Sequence, residues 1–478
     1  MRQIILIILT FTTFQVIAQK LKPDINNLVL QIEKYNVLES EHVGIAGETT
    51  DQYRNFIKLR DNATNDELLM LLNHENSVVK GYSSWALVDN KYSKLSEILV
   101  EFLRTGETVT SQSGCIVSED NLSRMFYSRI FYQGFHNKLN KEDSLFYSQQ
   151  VRQLDSVILY SERIQQIDSA ILFSSNSLYL LKRALENNNA NPETYERIKE
   201  LALIDKNHSA IVALAKYQRK DDIPKLIELG NKSFLGIASF PDKAFWSFLK
   251  AYQTTEKSKH YFLAVSSFQN LEATNLLSEV YLTLNSAQIA YLGEALTKNY
   301  CSHYQDLLLE IWKNNKIIDI IATKKLIKDC PEKAAKYFAN GLLTNKKFNF
   351  QELDYNYGSK DTILSLMLDN IKLYQKDMLL KVCDNNIQTA KFTDLYPILS
   401  FIEENKMSET TNALIARVQE KNTAYEIFHL TKTLLSFNND ETKNIVATSL
   451  IEKKEDWDWG NWSEHFRELL KSHDIKVD

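Results

Sequence analysis

Turn-forming residues are scarce in this chain, and that scarcity restricts its possible folds more than any other feature. Of 478 residues, only 12 are glycine and 6 are proline, well below the roughly 7% and 5% of ordinary proteins. Sandwiches and barrels need many tight turns, and tight turns draw on Gly and Pro. An all-β fold is therefore all but excluded. Disorder is disfavoured as well, because 23 Phe, 23 Tyr and 6 Trp carry more apolar surface than disordered chains do. The sequence reads as all-α.

Apolar residues recur at helical spacing along most of the length. Val78, Tyr82, Trp85 and Ala86 fall at i, i+4, i+7 and i+8, and Leu95, Ile98, Leu99, Phe102 and Leu103 form another stripe. Ile211, Leu214 and Ala215 lead into Ile223, Leu226 and Ile227, and later Leu395, Ile398, Leu399 and Ile402 repeat the pattern, as do Ala424, Ile427, Phe428, Thr431, Leu434 and Leu435. Each stripe turns one helix face toward a core. The breaks between them are short and polar, such as Asn73–Asn76, Arg219–Asp222 and Phe437–Asp440. Asp222 and Asp329, each two residues before a proline, are expected to cap helix starts. Short links make antiparallel neighbours, and one round core stops growing near roughly 250–300 residues. A row of stacked helix pairs is the expected solution.

At two places the sequence resembles HEAT-like repeats. Within 66–103, Leu71-Leu72-Asn73, then Val79-Lys80, then Ala86-Leu87 look like that family's Leu-Leu-Asp, Val-Arg and Ala-Leu positions. Asn73, Lys80 and Tyr82-Ser83 depart from it. Within 193–230, Ser209-Ala210 and Ala213–Lys216 precede Asp221-Asp222-Ile223-Pro224, where small residues would let paired helices approach. The resemblance implies an α-solenoid of stacked antiparallel helix pairs, HEAT/armadillo-like. An irregular helical insertion is expected near 105–190: a polar loop from Thr105 to Gly114, then helical runs at about 118–138 and 141–164. The division read from sequence is thus 1–18, 19–104, 105–190 and 191–478. A further irregularity is expected between Lys346 and Lys360.

Residues 1–18 have the layout of a cleavable secretory signal peptide: Arg2, an apolar run from Ile4 to Phe14, and Val16-Ile17-Ala18 at the cut. The run is shorter than the ~20 residues that span a bilayer, and nothing later is long and apolar enough to do so. Periplasmic or extracellular placement is the expectation. Loss of Arg2 removes one of 56 basic residues and none of 61 acidic ones, taking the net charge from -5 to -6. Nucleic acid and anionic membrane surfaces favour the opposite balance, so neither is an expected partner.

Chemistry is harder to find. The sequence has no Gly-rich phosphate loop, no His-Glu-x-x-His, no Gly-x-Ser-x-Gly and no Cys-x-x-Cys, and no cofactor or metal is expected. Cys301 and Cys330 flank two expected helices, so a disulfide could close a loop of about 28 residues, worth roughly 3.5 kcal/mol in the chain-entropy model; two buried free thiols are the alternative. Cys115 follows a Ser/Gly-rich loop and is expected near a helix N-terminus at Ser118, the one setting suited to a nucleophile, with His74 or His136 as a distant base. Asp456–Asn461 resembles a calcium loop, but Gly460 takes the fifth position and Asn461 the sixth, where such a loop has Asp or Asn and then Gly, and no Glu lies at the twelfth. Its tryptophans, Trp457, Trp459 and Trp462, either cap the array or stack on a sugar. The expected function is a non-catalytic exported scaffold binding a protein or peptide. The alternatives are a carbohydrate-binding helical protein of the envelope and a hydrolase or transferase using Cys115.

Overall fold

A computed structural model describes residues 21–136, 162–174, 177–315, 319–344, 363–390, 392–420 and 423–475. The expected leader, the segment 137–161 within the expected helical runs, and the expected irregularity at 346–360 lie outside the described residues. The chain is about 75% helical, with 27 α-helices and a three-stranded sheet among the described residues. It divides into two compact units, Met1–Tyr217 and Gln218–Asp478. That division lies inside the segment read from sequence as one C-terminal array.

Local chemistry explains where the helices start and stop. Thr64 and Glu67 bond reciprocally across the first turn of helix Asn65–Leu71, which satisfies two N–H groups the helix itself leaves open. Asn76, Asn207, Asn270, Asn285, Asp319 and Asn439 each accept a first-turn N–H of the helix that follows. Asp222 does not: it is buried at the start of helix Ile223–Glu228 and makes no capping bond, so Pro224 with its preset φ marks that start. Cys330, not Asp329, occupies the cap position before helix Pro331–Leu342. With so little glycine, non-glycine residues take left-handed turn positions, among them Asn36, Lys91, Lys206, Gln218, Gln269 and Lys406, with φ near 50–60°. Each such position costs about 1 kcal/mol.

In the N-terminal unit, helix Ser77–Asp89 is the axle. Val78, Val79 and every residue from Gly81 to Val88 are buried, as expected of a helix wrapped on all sides. It packs on helices Pro23–Tyr35, Asp51–Asn62, Asn65–Leu71 and Leu122–His136. Gly81 makes room for Leu38 of the neighbouring strand: a Cβ there would stand 3.0 Å from Leu38 Cδ1. Phe56 stacks on Tyr82 at 4.9 Å and meets Trp85 edge-on at 5.9 Å. The Arg129 guanidinium lies over Phe56 and Trp85, and its Nε and Nη2 donate to Asp89 at 2.9 and 2.5 Å. That bidentate pair leaves the buried charge matched.

Residues 108–121 form a hairpin where the sequence leads one to expect a polar loop followed by a helix. Thr105 ends helix Leu95–Thr105, and the expected polar loop is strand β2 (Thr108–Gly114), hairpinned to β3 (Ile116–Asn121). Helix Leu122–His136 starts at Leu122, not Ser118. β1 (Leu38–Val43) pairs parallel to β2, giving the order β1-β2-β3. Thr and Val favour extended backbone, and Gly114 at φ +54 makes the turn. The all-α expectation thus holds for the bulk of the chain and fails for this small sheet.

The C-terminal unit has a recurrent packing pattern. Helix Phe234–Ser239 packs on Lys259–Ser266, and Lys259–Ser266 packs on Ser286–Lys298. Gln305–Asn315 packs on Pro331–Leu342, Pro331–Leu342 on Lys376–Thr389, and Lys376–Thr389 on Thr411–Glu420. Phe392–Asn405 likewise packs on Ala424–Leu435, and Thr411–Glu420 on Asp440–Glu452. Each helix in these series finds its partner one helix beyond its neighbour, and the apolar stripes read from sequence supply the contact: Leu395, Ile398, Leu399 and Ile402 are buried, as are Ile427, Leu434 and Leu435. Among the described residues, no helix is long and apolar enough to cross a membrane.

Candidate functional site

The C-terminal unit carries a groove of about 690 Å³, walled by the starts of three helical segments. Lys220, Ile223 and Pro224 form one wall, Asp242, Lys243 and Trp246 the second, and Phe268, Asn270 and Glu272 the third. Phe245 and Leu249, at i and i+4, anchor their segment in the core, which leaves Trp246 half-buried beside them. Its ring lies 5.2 Å from that of Phe268, tilted by 59°. Asp242 and Asn270 each spend one oxygen on a helix-start N–H, at 2.9 Å to Ala244 and 2.8 Å to Ala273. The groove therefore offers an aromatic platform, two lysines and two carboxylates. Apolar walls with a few polar groups suit ligand binding. Trp246 was not singled out in the sequence, although a tryptophan just off an apolar stripe is the signal that marks it.

A second groove, of about 760 Å³, lies in the N-terminal unit between helices Leu95–Thr105 and Glu162–Ser174. Ser96, Glu97, Gln165, Gln166, Ser169 and Asn191 give it an amide- and hydroxyl-rich lining. On the buried side of Glu162–Ser174, Asp168 accepts from Tyr127 Oη at 2.8 Å and from Asn187 Nδ2 at 3.0 Å. Burial raises the Asp168 carboxyl to about 6, against the two hydrogen bonds and the Arg183 charge, which favour ionisation. The same burial, with Asp168 beside it, pushes the Tyr127 hydroxyl far up. The Asp168 side chain is only 7% exposed. This triad ties three helices together and opens onto neither groove.

The tryptophans expected to act together have separate environments. Trp457 is buried, its ring 4.9 Å from Phe466, and its Nε1 donates to Leu450 O at 2.8 Å. Trp462 is half-buried against Tyr425 and Phe428. Trp459 is 57% exposed. Asp458, in the calcium-like stretch, accepts from Ser463 at 2.6 Å and Arg467 at 3.0 Å. The Ser463 bond, then the Arg467 and Lys454 charges, hold its carboxyl low.

The four cysteines are free thiols: Cys115 exposed, Cys301 and Cys330 half-buried, Cys383 buried. Burial raises the Cys330 thiol and takes Cys383 to about 12. Cys115 occupies the β2–β3 turn, with no helix N-terminus at Ser118 to activate it. His74 Nδ1 accepts from Asn76 N at 3.1 Å, in a turn preceding helix Ser77–Asp89. The His136 side chain lies outside the described residues. Among the described residues, no three His, Cys, Asp or Glu side chains converge as metal ligands would. Compared with known proteins, the chain matches no family model, no curated protein and no solved structure.

Proposed function

We propose that the chain is an exported, non-catalytic scaffold whose helices stack as a HEAT-like solenoid, and that it holds a protein or peptide partner in the groove around Trp246 and Phe268. The observation that carries this reading is the packing of helices onto their next-but-one neighbours in the C-terminal unit. Such packing is the contact pattern of stacked pairs, and stacked pairs generate long binding surfaces. Trp457 packed on Phe466, over the end of helix Asp440–Glu452, is consistent with a terminal cap on such a stack. Export rests on the leader layout alone and is tested by sequencing the mature N-terminus, expected at Gln19.

The partner test compares wild type with Trp246→Ala in affinity capture from the chain's own envelope fraction. A protein recovered by wild type and lost with the variant, at unchanged melting temperature, supports the reading. Equal recovery by both counts against the groove. One observation favours the carbohydrate reading: Asp242, Asn270 and Glu272 are planar polar groups beside an indole, a combination that can bond sugar hydroxyls while a ring stacks. Quenching of Trp246 emission by neutral oligosaccharides, absent in Trp246→Ala, would favour it over a protein partner.

A further inference from the structure

The sheet of the N-terminal unit has two edges, and only one is closed. On β1, the Tyr82 hydroxyl accepts from Glu39 N at 2.8 Å and donates to Glu39 O at 3.2 Å. Val43 is bridged antiparallel to Glu48. β3 stands at the opposite edge. Its register on β2 runs from Thr108 opposite Asn121 to Ser113 opposite Ile116, and Leu122 N donates to Glu107 O at 2.9 Å just beyond. Hydrogen-bonded and non-bonded pairs alternate along an antiparallel ladder. Counting from the Glu107–Leu122 bond, Asp120, Ser118 and Ile116 bond to β2. Val117, Glu119 and Asn121 therefore turn their N–H and C=O groups away from it, and all three residues are exposed.

Natural edges of this kind are blunted by lysine, proline, bulges or a covering segment. This one ends in apolar residues instead: Ile116 is 70% and Val117 60% exposed, and Ile45 is fully exposed on the turn whose Gly44 N donates to Gly114 O at 2.9 Å. Its outward charge is Glu119, whose Oε1 accepts from Thr108 at 2.7 Å and whose other oxygen is left for a partner, whereas Asp120 is bonded to Ser111, Ser118 and Arg124. We propose that β3 accepts an extended segment of another protein as a fourth, antiparallel strand, with Lys or Arg opposite Glu119 and an apolar residue opposite Val117. The main-chain groups supply affinity and the alternate side chains supply selection. A second copy fits less well. The register that matches all three outward residues of two β3 strands is centred on Glu119 and sets two carboxylates face to face, which destabilises a pair.

The test uses the full mature chain and two fluorescein-labelled peptides, acetyl-Thr-Thr-Thr-Lys-Thr-Val-Thr-amide and its twin with Glu in place of Lys. Anisotropy should show the Lys peptide binding roughly five- to tenfold tighter than the Glu peptide. Glu119→Lys should reverse that order. Val117→Pro should weaken both by roughly tenfold at unchanged melting temperature, because the N–H it removes is one β2 does not use. Trp246→Ala should leave peptide binding unchanged, which separates this edge from the groove proposed above. No binding to wild type, equal binding of the two peptides, or full binding by Val117→Pro would overturn the proposal. So would a concentration-dependent dimer dispersed by Val117→Pro, which would assign the edge to a second copy.

Discussion

Replacing Trp457 with alanine distinguishes a packed terminus from an exposed aromatic platform. The indole is 2% exposed, lies 4.9 Å from Phe466, and bonds Leu450 O at 2.8 Å. Truncating a buried tryptophan costs about 3–5 kcal/mol, and the orphaned carbonyl adds about 1 kcal/mol. The loss need not be global, because opening can stay local to the affected helix. The expected loss is therefore about 4–6 kcal/mol in the opening free energy of helix Gly460–Lys471, which raises amide exchange there about a thousandfold or more. Trp457→Phe keeps a ring on Phe466 and loses only the N–H, so about a tenfold rise is expected. Trp459→Ala removes an exposed ring and should change stability by less than about 0.5 kcal/mol. Hydrogen exchange followed by mass spectrometry reads all three variants. If Trp457→Ala leaves exchange in Gly460–Lys471 within tenfold of wild type, or Trp459→Ala matches it, the reasoning fails.

Other sites give sharp expectations. Arg417, 2% exposed, donates to Glu426 at 2.7 and 2.5 Å, to Ile387 O at 2.5 Å and to Ala390 O at 2.8 Å. Arg417→Ala should cost about 3–5 kcal/mol in urea unfolding by stranding a buried carboxylate, whereas Arg417→Met with Glu426→Leu should recover most of that. Burial opposes ionisation of Glu67, yet bonds from Thr64 and Lys22 bring it from 4.5 to about 2. Its stabilisation is therefore complete above pH 4.5 and is lost as pH falls toward 2, and Glu67→Gln should flatten that acid limb. Asp168 acts in the opposite sense. Its carboxyl is raised from 3.8 to about 6, so the native state holds the extra proton, and stability present below pH 3.8 is lost as pH rises through 6. Asp168→Asn should remove that decline in a pH series of denaturant midpoints. Lys206 and Gln269 have φ of 51° and 50°, so Lys206→Gly and Gln269→Gly should each stabilise by up to about 1 kcal/mol, read as a raised melting temperature.

The helices were legible because burial writes a period into the sequence. Every residue named in the stripes of Ser77–Asp89 and Phe392–Asn405 is buried. The grooves were not legible, because their walls come from segments that meet only after folding. Lys220, Trp246 and Asn270 share no local spacing, and each has an ordinary local explanation as a turn, a core edge or a cap. The tail was legible as a tryptophan cluster, but not in its division into buried, half-buried and exposed rings. That division depends on which side of a turn faces helix Ala424–Leu435.

The hairpin was missed for a different reason. A half-buried strand normally announces itself by alternating apolar and polar residues. In β2 the inward positions are Val109 and Ser111, and only one of them is apolar. The inner face is closed instead by hydrogen bonds, with Asp120 accepting from Ser111 and Ser118 at 2.7 Å each. Such a strand looks polar throughout and passes for a loop. Glycine scarcity pointed the same way, and here it misled. One hairpin needs one left-handed position, which Gly114 provides at φ +54, while most of the helical links take theirs from Asn, Lys and Gln, with Gly106, Gly230 and Gly460 supplying a few. A low glycine count therefore limits how much sheet a chain can turn back on itself without forbidding a single hairpin. The hairpin it does form leaves Ile116 and Val117 exposed on an open edge, whose outward main-chain groups are those the proposed partner strand would bond.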